Sequence, residues 1–79
     1  EIDNLFIILG AEFEGKSTIT LALSDNLVAD NDLHAGNIIR VLSKEINGGG
    51  GGQAKYATAG GNNPEGIVIA IEKAKEYLN

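Results

Sequence analysis

A small two-layer α+β domain is the fold class the sequence predicts: a β-hairpin and one further short strand packed against two amphipathic helices, in the order β-β-α-β-α. Three observations carry this. Apolar residues alternate with period two from Leu5 to Ser24, they recur at three- and four-residue steps from Ala35 to Ile46, and they do so again from Ile67 to Leu78. At 79 residues the chain is one domain.

Leu5-Phe6-Ile7-Ile8-Leu9 is too short for a helix of its own and rich in strand formers. Ala11 and Phe13 continue it against Glu12 and Glu14, and Gly15-Lys16 supplies turn chemistry. From Ser17 to Ser24, Ile19, Leu21 and Leu23 face one way and Thr18, Thr20 and Ala22 the other. Asp25 to Asp32 is a polar connection around Leu27 and Val28, with room for a short helical turn. Ala35, Ile38, Ile39, Leu42 and Ile46 then form the buried stripe of a helix whose opposite face carries Arg40 and Lys44. Asn47-Gly48 ends that helix with residues that tolerate the left-handed conformation.

Five glycines, Gly48 to Gly52, read as the start of a loop that reaches Gly60-Gly61, with one short strand near Tyr56–Ala59. Asn63 is placed to cap the final helix and Pro64 to occupy its first position. Glu65 then sits where the helix dipole favours an acid, and Ile67, Ile71, Ala74 and Leu78 form the apolar stripe.

Composition narrows the chemistry. There is no cysteine, which removes disulfides, thiolate metal sites and cysteine nucleophiles, and a single histidine, His34, leaves no zinc cluster or Ser/His/Asp triad. His34 reads as a polar surface or capping residue at a helix start. No spacing of carboxylates marks an acid/base pair, so no residue is assigned a catalytic or metal-binding role. No apolar run approaches the roughly 18 residues of a membrane span. The net charge is −5, but it is uneven: residues 1–32 hold seven acids against Lys16, whereas residues 33–79 hold five bases against four acids. A polyanion would therefore meet the second half.

Gly10-Ala11-Glu12-Phe13-Glu14-Gly15-Lys16-Ser17 matches the phosphate-binding pattern G-x-x-x-x-G-K-[ST] letter for letter. The chemistry opposes it. Glu12 and Glu14 occupy the place of the phosphates, and a strand pattern follows where the motif needs a helix. The expected identity of this stretch is a hairpin turn.

The glycine run is the stronger candidate site. Backbone without Cβ atoms lets a base pair or phosphate approach the N–H groups of Gly48, Gly49, Gly50, Gly51 and Gly52. Lys55 adds a cation and Tyr56 a ring for stacking, while Arg40 and Lys44 are candidate phosphate contacts on the neighbouring helix. Lys73 and Lys75 alternate with Glu72 and Glu76 and read as a solvated face.

From Leu33-His34-Ala35-Gly36-Asn37-Ile38-Ile39-Arg40 through Gly48–Gly52 and Gln53, then Ala57-Thr58-Ala59-Gly60-Gly61 and Asn63-Pro64-Glu65-Gly66, the chain resembles the C-terminal domain of alanyl-tRNA synthetase, a class also appended to DHH-type phosphoesterases. The resemblance covers nearly the whole chain and implies a non-catalytic, cytoplasmic tRNA-binding module. It would be one domain, residues 1–79, of a longer synthetase whose aminoacylation and editing domains lie upstream. The parent is implied to use ATP, magnesium and zinc to attach alanine to tRNA(Ala), with no counterpart of those sites here. By position, Gly48–Gly52 with Gln53 and Lys55 would face the tRNA elbow, Arg40 and Lys44 making neighbouring backbone contacts. Two departures stand out: Gln53 replaces the histidine that follows the glycines in the phosphoesterases, and Ala54 stands where many synthetases have proline. The alternative from a different class is a dimerisation or domain-bridging module on the same scaffold, with a homodimer as the partner state.

Overall fold

The structure, a computed structural model, describes residues 5–30 and 33–78. Glu1, Asp3 and Asp32, three of the seven acids of the first half, lie outside the described residues.

β1 (Phe6–Phe13) and β2 (Lys16–Leu23) pair antiparallel in unbroken register, from Phe6 opposite Leu23 to Phe13 opposite Lys16. Glu14 and Gly15 close them with φ of 51° and 80°, the double left-handed geometry that matches strand twist in a two-residue hairpin. The polar connection then holds a helix, α1 (Asp25–Asp30). Ser24 anchors it: its Oγ donates to Asn26 Oδ1 at 2.6 Å and accepts from the backbone N–H of Leu5 at 2.9 Å.

α2 (Ala35–Leu42) tightens into a 3-10 turn over Ser43–Ile46 and stops at Asn47, whose φ of 55° is the left-handed cap the sequence predicts. All five members of its predicted stripe, Ala35, Ile38, Ile39, Leu42 and Ile46, are buried. They pack on Ile19, Leu21 and Leu23 of β2. Burying each large aliphatic side chain contributes about 1.5–3 kcal/mol, so this contact is the main source of stability.

The glycine run departs from expectation. It is not a loop: β3 (Gly49–Gly52) pairs antiparallel with β4 (Tyr56–Gly61), Gly49 opposite Gly60 and Gly52 opposite Ala57. The predicted short strand is thus present and longer, and the sheet has four strands in the order β1-β2-β4-β3. The close approach of β3 to β4 explains the composition. A Cβ on Gly50 would lie 2.5 Å from Ala59 Cβ, and one on Gly52 would lie 2.5 Å from the Tyr56 carbonyl oxygen.

α3 (Gly66–Lys75) and a 3-10 turn at Glu76–Leu78 complete the helical layer. Asn63 is not its side-chain cap. The Asn63 amide donates to the Glu45 carbonyl at 2.9 Å and ties the helix entry to the 3-10 turn after α2, while the helix itself starts at Gly66. The buried stripe also shifts, to Gly66, Ala70 and Ala74, with Ile67 and Ile71 half-buried. The Leu78 side chain is outside the described part. Small residues let α3 come close to the sheet, and bulkier neighbours fill its margins.

The helices cover the face of the sheet that carries Ile19, Leu21, Ala57 and Ala59. The other face carries Thr18, Thr20, Thr58 and Tyr56 with Ile7, Leu9, Ala11 and Phe13 of β1, while Phe6 and Ile8 of β1 turn toward the helices and pack against the core.

Candidate nucleic-acid interface

β3 is one end of the sheet, and its hydrogen-bond alternation can be followed from the turn. Gln53 N–H donates to the Tyr56 carbonyl at 2.8 Å, so Gly51 and Gly49 also bond toward β4, while Gly50 and Gly52 turn their backbone groups outward. The first turn of α2 covers the end of that edge. Ala35 and Gly36 donate their N–H groups to the carbonyls of Ala54 and Gln53, at 2.9 and 3.1 Å. Gly50, exposed and mid-strand, presents the outward amide.

Arg40, in the last turn of α2, lies along this same edge. A Cβ built on Gly51 would be 3.7 Å from Arg40 Nε. Its guanidinium is steadied by Asn37, whose Oδ1 accepts from Nη1 at 3.4 Å. Asn37 was not among the residues singled out from sequence, although its spacing of three from Arg40 on one helix was a usable signal. Lys44 is exposed on the 3-10 turn leading into β3.

The remaining predicted residues separate from this cluster. Lys55 sits in the β3–β4 turn and pairs with Asp25 at the start of α1 (2.6 Å), so its charge is compensated within the domain. Gln53 is exposed in that same turn, and its backbone is committed to Tyr56 and Gly36. Tyr56 lies on the open sheet face, in register with Ala22 and, beyond it, Ile7. His34 is a cap: its Nδ1 accepts from the Asn37 backbone N–H at 3.3 Å. What remains beside the Gly49–Gly52 strand is therefore Arg40, with Lys44 exposed on the turn that leads into it.

The P-loop-like stretch is the hairpin turn. Glu12 Oε2 accepts from Gly15 N–H at 3.2 Å, placing a carboxylate on the backbone where a phosphate would need to bind. Ser17, the residue the pattern reserves for a metal ion, is fully buried under the helices. Its Oγ has no hydrogen-bond partner among the described residues. Among the described residues no group of three or more His, Asp or Glu converges as a metal site, and no helix is long and apolar enough to cross a membrane. On the far side of the helical layer, Lys73 is hydrogen-bonded to Glu45, which raises its pKa above the usual 10.5. Lys75 pairs with Glu72 at 3.6 Å, on the solvated face the sequence predicts.

The chain is similar to known proteins along its whole length. A family model, the DHHA1 domain, matches residues 1–79. The alanine–tRNA ligase of Christiangramia forsetii is 51% identical over 78 residues, which is 99% of this chain and 9% of that protein. The alanine–tRNA ligase of Cytophaga hutchinsonii is 51% identical over 77 residues, again 9% of its length. The chain thus spans about a tenth of the curated relatives it matches. Among solved structures, the C-Ala domain of Aquifex aeolicus alanyl-tRNA synthetase superposes with a TM-score of 0.82 at 27% identity, covering 92% of this chain and 64% of that one. The chain therefore belongs to the DHHA1 domain family, in the form that alanyl-tRNA synthetases carry as their C-terminal domain.

Proposed function

We propose that this chain is the non-catalytic tRNA-binding module of a cytoplasmic alanine–tRNA ligase, gripping the elbow of tRNA(Ala) so that upstream aminoacylation and editing domains share one bound tRNA. The ATP, magnesium and zinc of such a ligase would be held by those upstream domains. The observation that carries the reading is the juxtaposition of Arg40 with the side-chain-free outer edge of β3. There, a phosphate or the flat face of a base pair can reach the outward amide of Gly50 while a guanidinium supplies charge.

Lys44 is exposed on the turn that leads into this strand, and Gln53, Lys55 and Tyr56 border its other end. The Lys55–Asp25 pair makes Lys55 a lesser contributor than Arg40. Two cations, Arg40 beside the strand and Lys44 on the turn before it, correspond to about two phosphate contacts, which leaves binding at micromolar or poorer affinity and only mildly salt-dependent. Tethering to stronger sites in the same ligase makes such weak contacts count, because the effective concentration is high.

The test is a low-salt titration of the chain with tRNA(Ala) transcript, beside an unstructured RNA of equal length. Preference for the folded tRNA that is lost in Arg40→Glu supports the reading. Equal binding to both RNAs, or none up to about a hundred micromolar, removes the elbow contact from this domain.

A further inference from the structure

The charge at the β3 edge is held differently from the paired lysines of the domain. Lys55 meets Asp25, Lys73 meets Glu45 and Lys75 meets Glu72, so each of those ammonium groups is matched by a carboxylate. Arg40 meets an amide instead. Asn37 Oδ1 accepts from its Nη1 at 3.4 Å, and among the described residues no carboxylate pairs with the guanidinium. Asn37 is itself fixed from the other side, since its backbone N–H donates to His34 Nδ1 at 3.3 Å. His34, Asn37 and Arg40 thus form one line of contacts along α2, at the three-residue steps that share a helix face. At the end of that line Arg40 Nε lies 3.7 Å, and Nη2 4.0 Å, from where a Gly51 Cβ would be. The guanidinium occupies the space that a longer side chain at position 51 would take.

We propose that this edge takes an RNA phosphodiester rather than a base, and that Asn37 is its positioning residue. The inference rests on the tRNA-binding reading above and names the chemical group held at the same site. A carboxylate at position 37 would hold the guanidinium at least as firmly, but it would neutralise the charge that attracts a phosphate. With no partner at all, a long side chain would have to be immobilised when RNA binds, at a cost in affinity. A neutral oxygen avoids both: it orders the guanidinium and leaves its charge intact. With Nη1 on Asn37, the Nε and Nη2 fork nearer Gly51 is left for the two free oxygens of one phosphodiester. The Asn37 Oδ1 is already engaged, so the side chains here offer donors only. That suits a phosphate, whereas every Watson–Crick edge mixes donors with acceptors.

Titrations with tRNA(Ala) transcript and with polyuridylate, each over a range of salt, test this beside nitrogen relaxation of the Arg40 Nε–H in the free chain. Asn37→Asp keeps an oxygen for Nη1, and an acid in the first turn suits the helix dipole, so the variant folds. It is expected to lower the slope of log K against log salt by about one. Asn37→Ala keeps the charge and loosens the side chain. Affinity is expected to fall by about three- to tenfold with the slope unchanged, and the Arg40 Nε–H to become more mobile. In an Arg40→Ala background, Asn37→Ala has no further effect, whereas mere damage to the helix would weaken binding in both backgrounds. Wild-type affinity in Asn37→Ala overturns the proposal, as does an unchanged slope in Asn37→Asp or an equal loss in both backgrounds. Wild-type binding to polyuridylate with no preference for tRNA(Ala) counts against the elbow reading alone, and binding to neither RNA overturns both.

Discussion

Gly36 in the first turn of α2 and Gly52 at the end of β3 meet backbone to backbone: a Cβ on Gly36 would sit 2.8 Å from the Gly52 carbonyl oxygen. This contact seats the helix that carries Arg40 against the strand that carries the outward amide. The candidate interface thus depends on two missing side chains sixteen positions apart.

Alanine substitutions along β3 and at the α2 glycine that faces it should divide by position. Gly50→Ala and Gly36→Ala each force a methyl against backbone or a buried Cβ, and should destabilise by about 1–3 kcal/mol. Gly49 has nothing within 4 Å of its Cβ position and no positive φ. Gly49→Ala should therefore be neutral or stabilising by up to about 1 kcal/mol, since alanine loses less entropy in a strand. Urea midpoints for the three variants check this ordering.

Arg40→Ala should weaken tRNA binding and lower the slope of log K against log salt by about one, the signature of one lost phosphate contact. Lys55→Ala should lower it less, because Asp25 already neutralises that ammonium at 2.6 Å. Equal slopes for the two variants would contradict the geometry of the edge.

The hairpin turn should respond to residue choice at Glu14, which holds φ at 51°. A left-handed conformation costs an ordinary L-residue about 1–2 kcal/mol, and asparagine tolerates it best after glycine. Glu14→Asn should raise stability by about 0.5–1 kcal/mol. Thermal unfolding of the variant measures it.

The same stretch should ignore nucleotides. Millimolar ATP with magnesium should leave the amide resonances of Gly10 to Ser17 unmoved, since Glu12 holds the Gly15 amide and Ser17 is buried. Ser17→Ala should be neutral or stabilising, by up to about 1 kcal/mol, because it removes a buried hydroxyl without a partner among the described residues.

Lys73 should titrate above 10.5, held there first by its hydrogen bond to Glu45 and then by that carboxylate's charge. A raised pKa in the folded state means that the pair stabilises the domain fully below pH 10.5 and loses this contribution as pH rises through the folded value. Glu45→Gln should move the lysine titration, followed by NMR at Cε, back toward 10.5 and flatten the alkaline fall in stability.

The periodic parts of the chain were legible in its sequence, because side chains report their surroundings through spacing. The β1–β2 alternation, the five-residue core stripe of α2 and the Asn47 cap all appear as the pattern dictates, and the resemblance carried by the glycines and Ala57–Gly61 matches the family the whole chain belongs to. Gly49–Gly52 was opaque for the converse reason: a residue without a side chain has no periodicity to display, and polyglycine in isolation favours no regular structure. Only the tertiary structure made it a strand, by pairing it with β4 and closing α2 over its end. Contacts between distant positions decided the rest. Asp25 claims Lys55 from another element, Asn63 reaches Glu45 instead of capping α3, and Ala70 with Ala74 outranks the larger isoleucines in the core because the helix must come close to the sheet. The free edges at β1 and β3 belong to the same category, since strand order is a property of the folded sheet and no single segment encodes it.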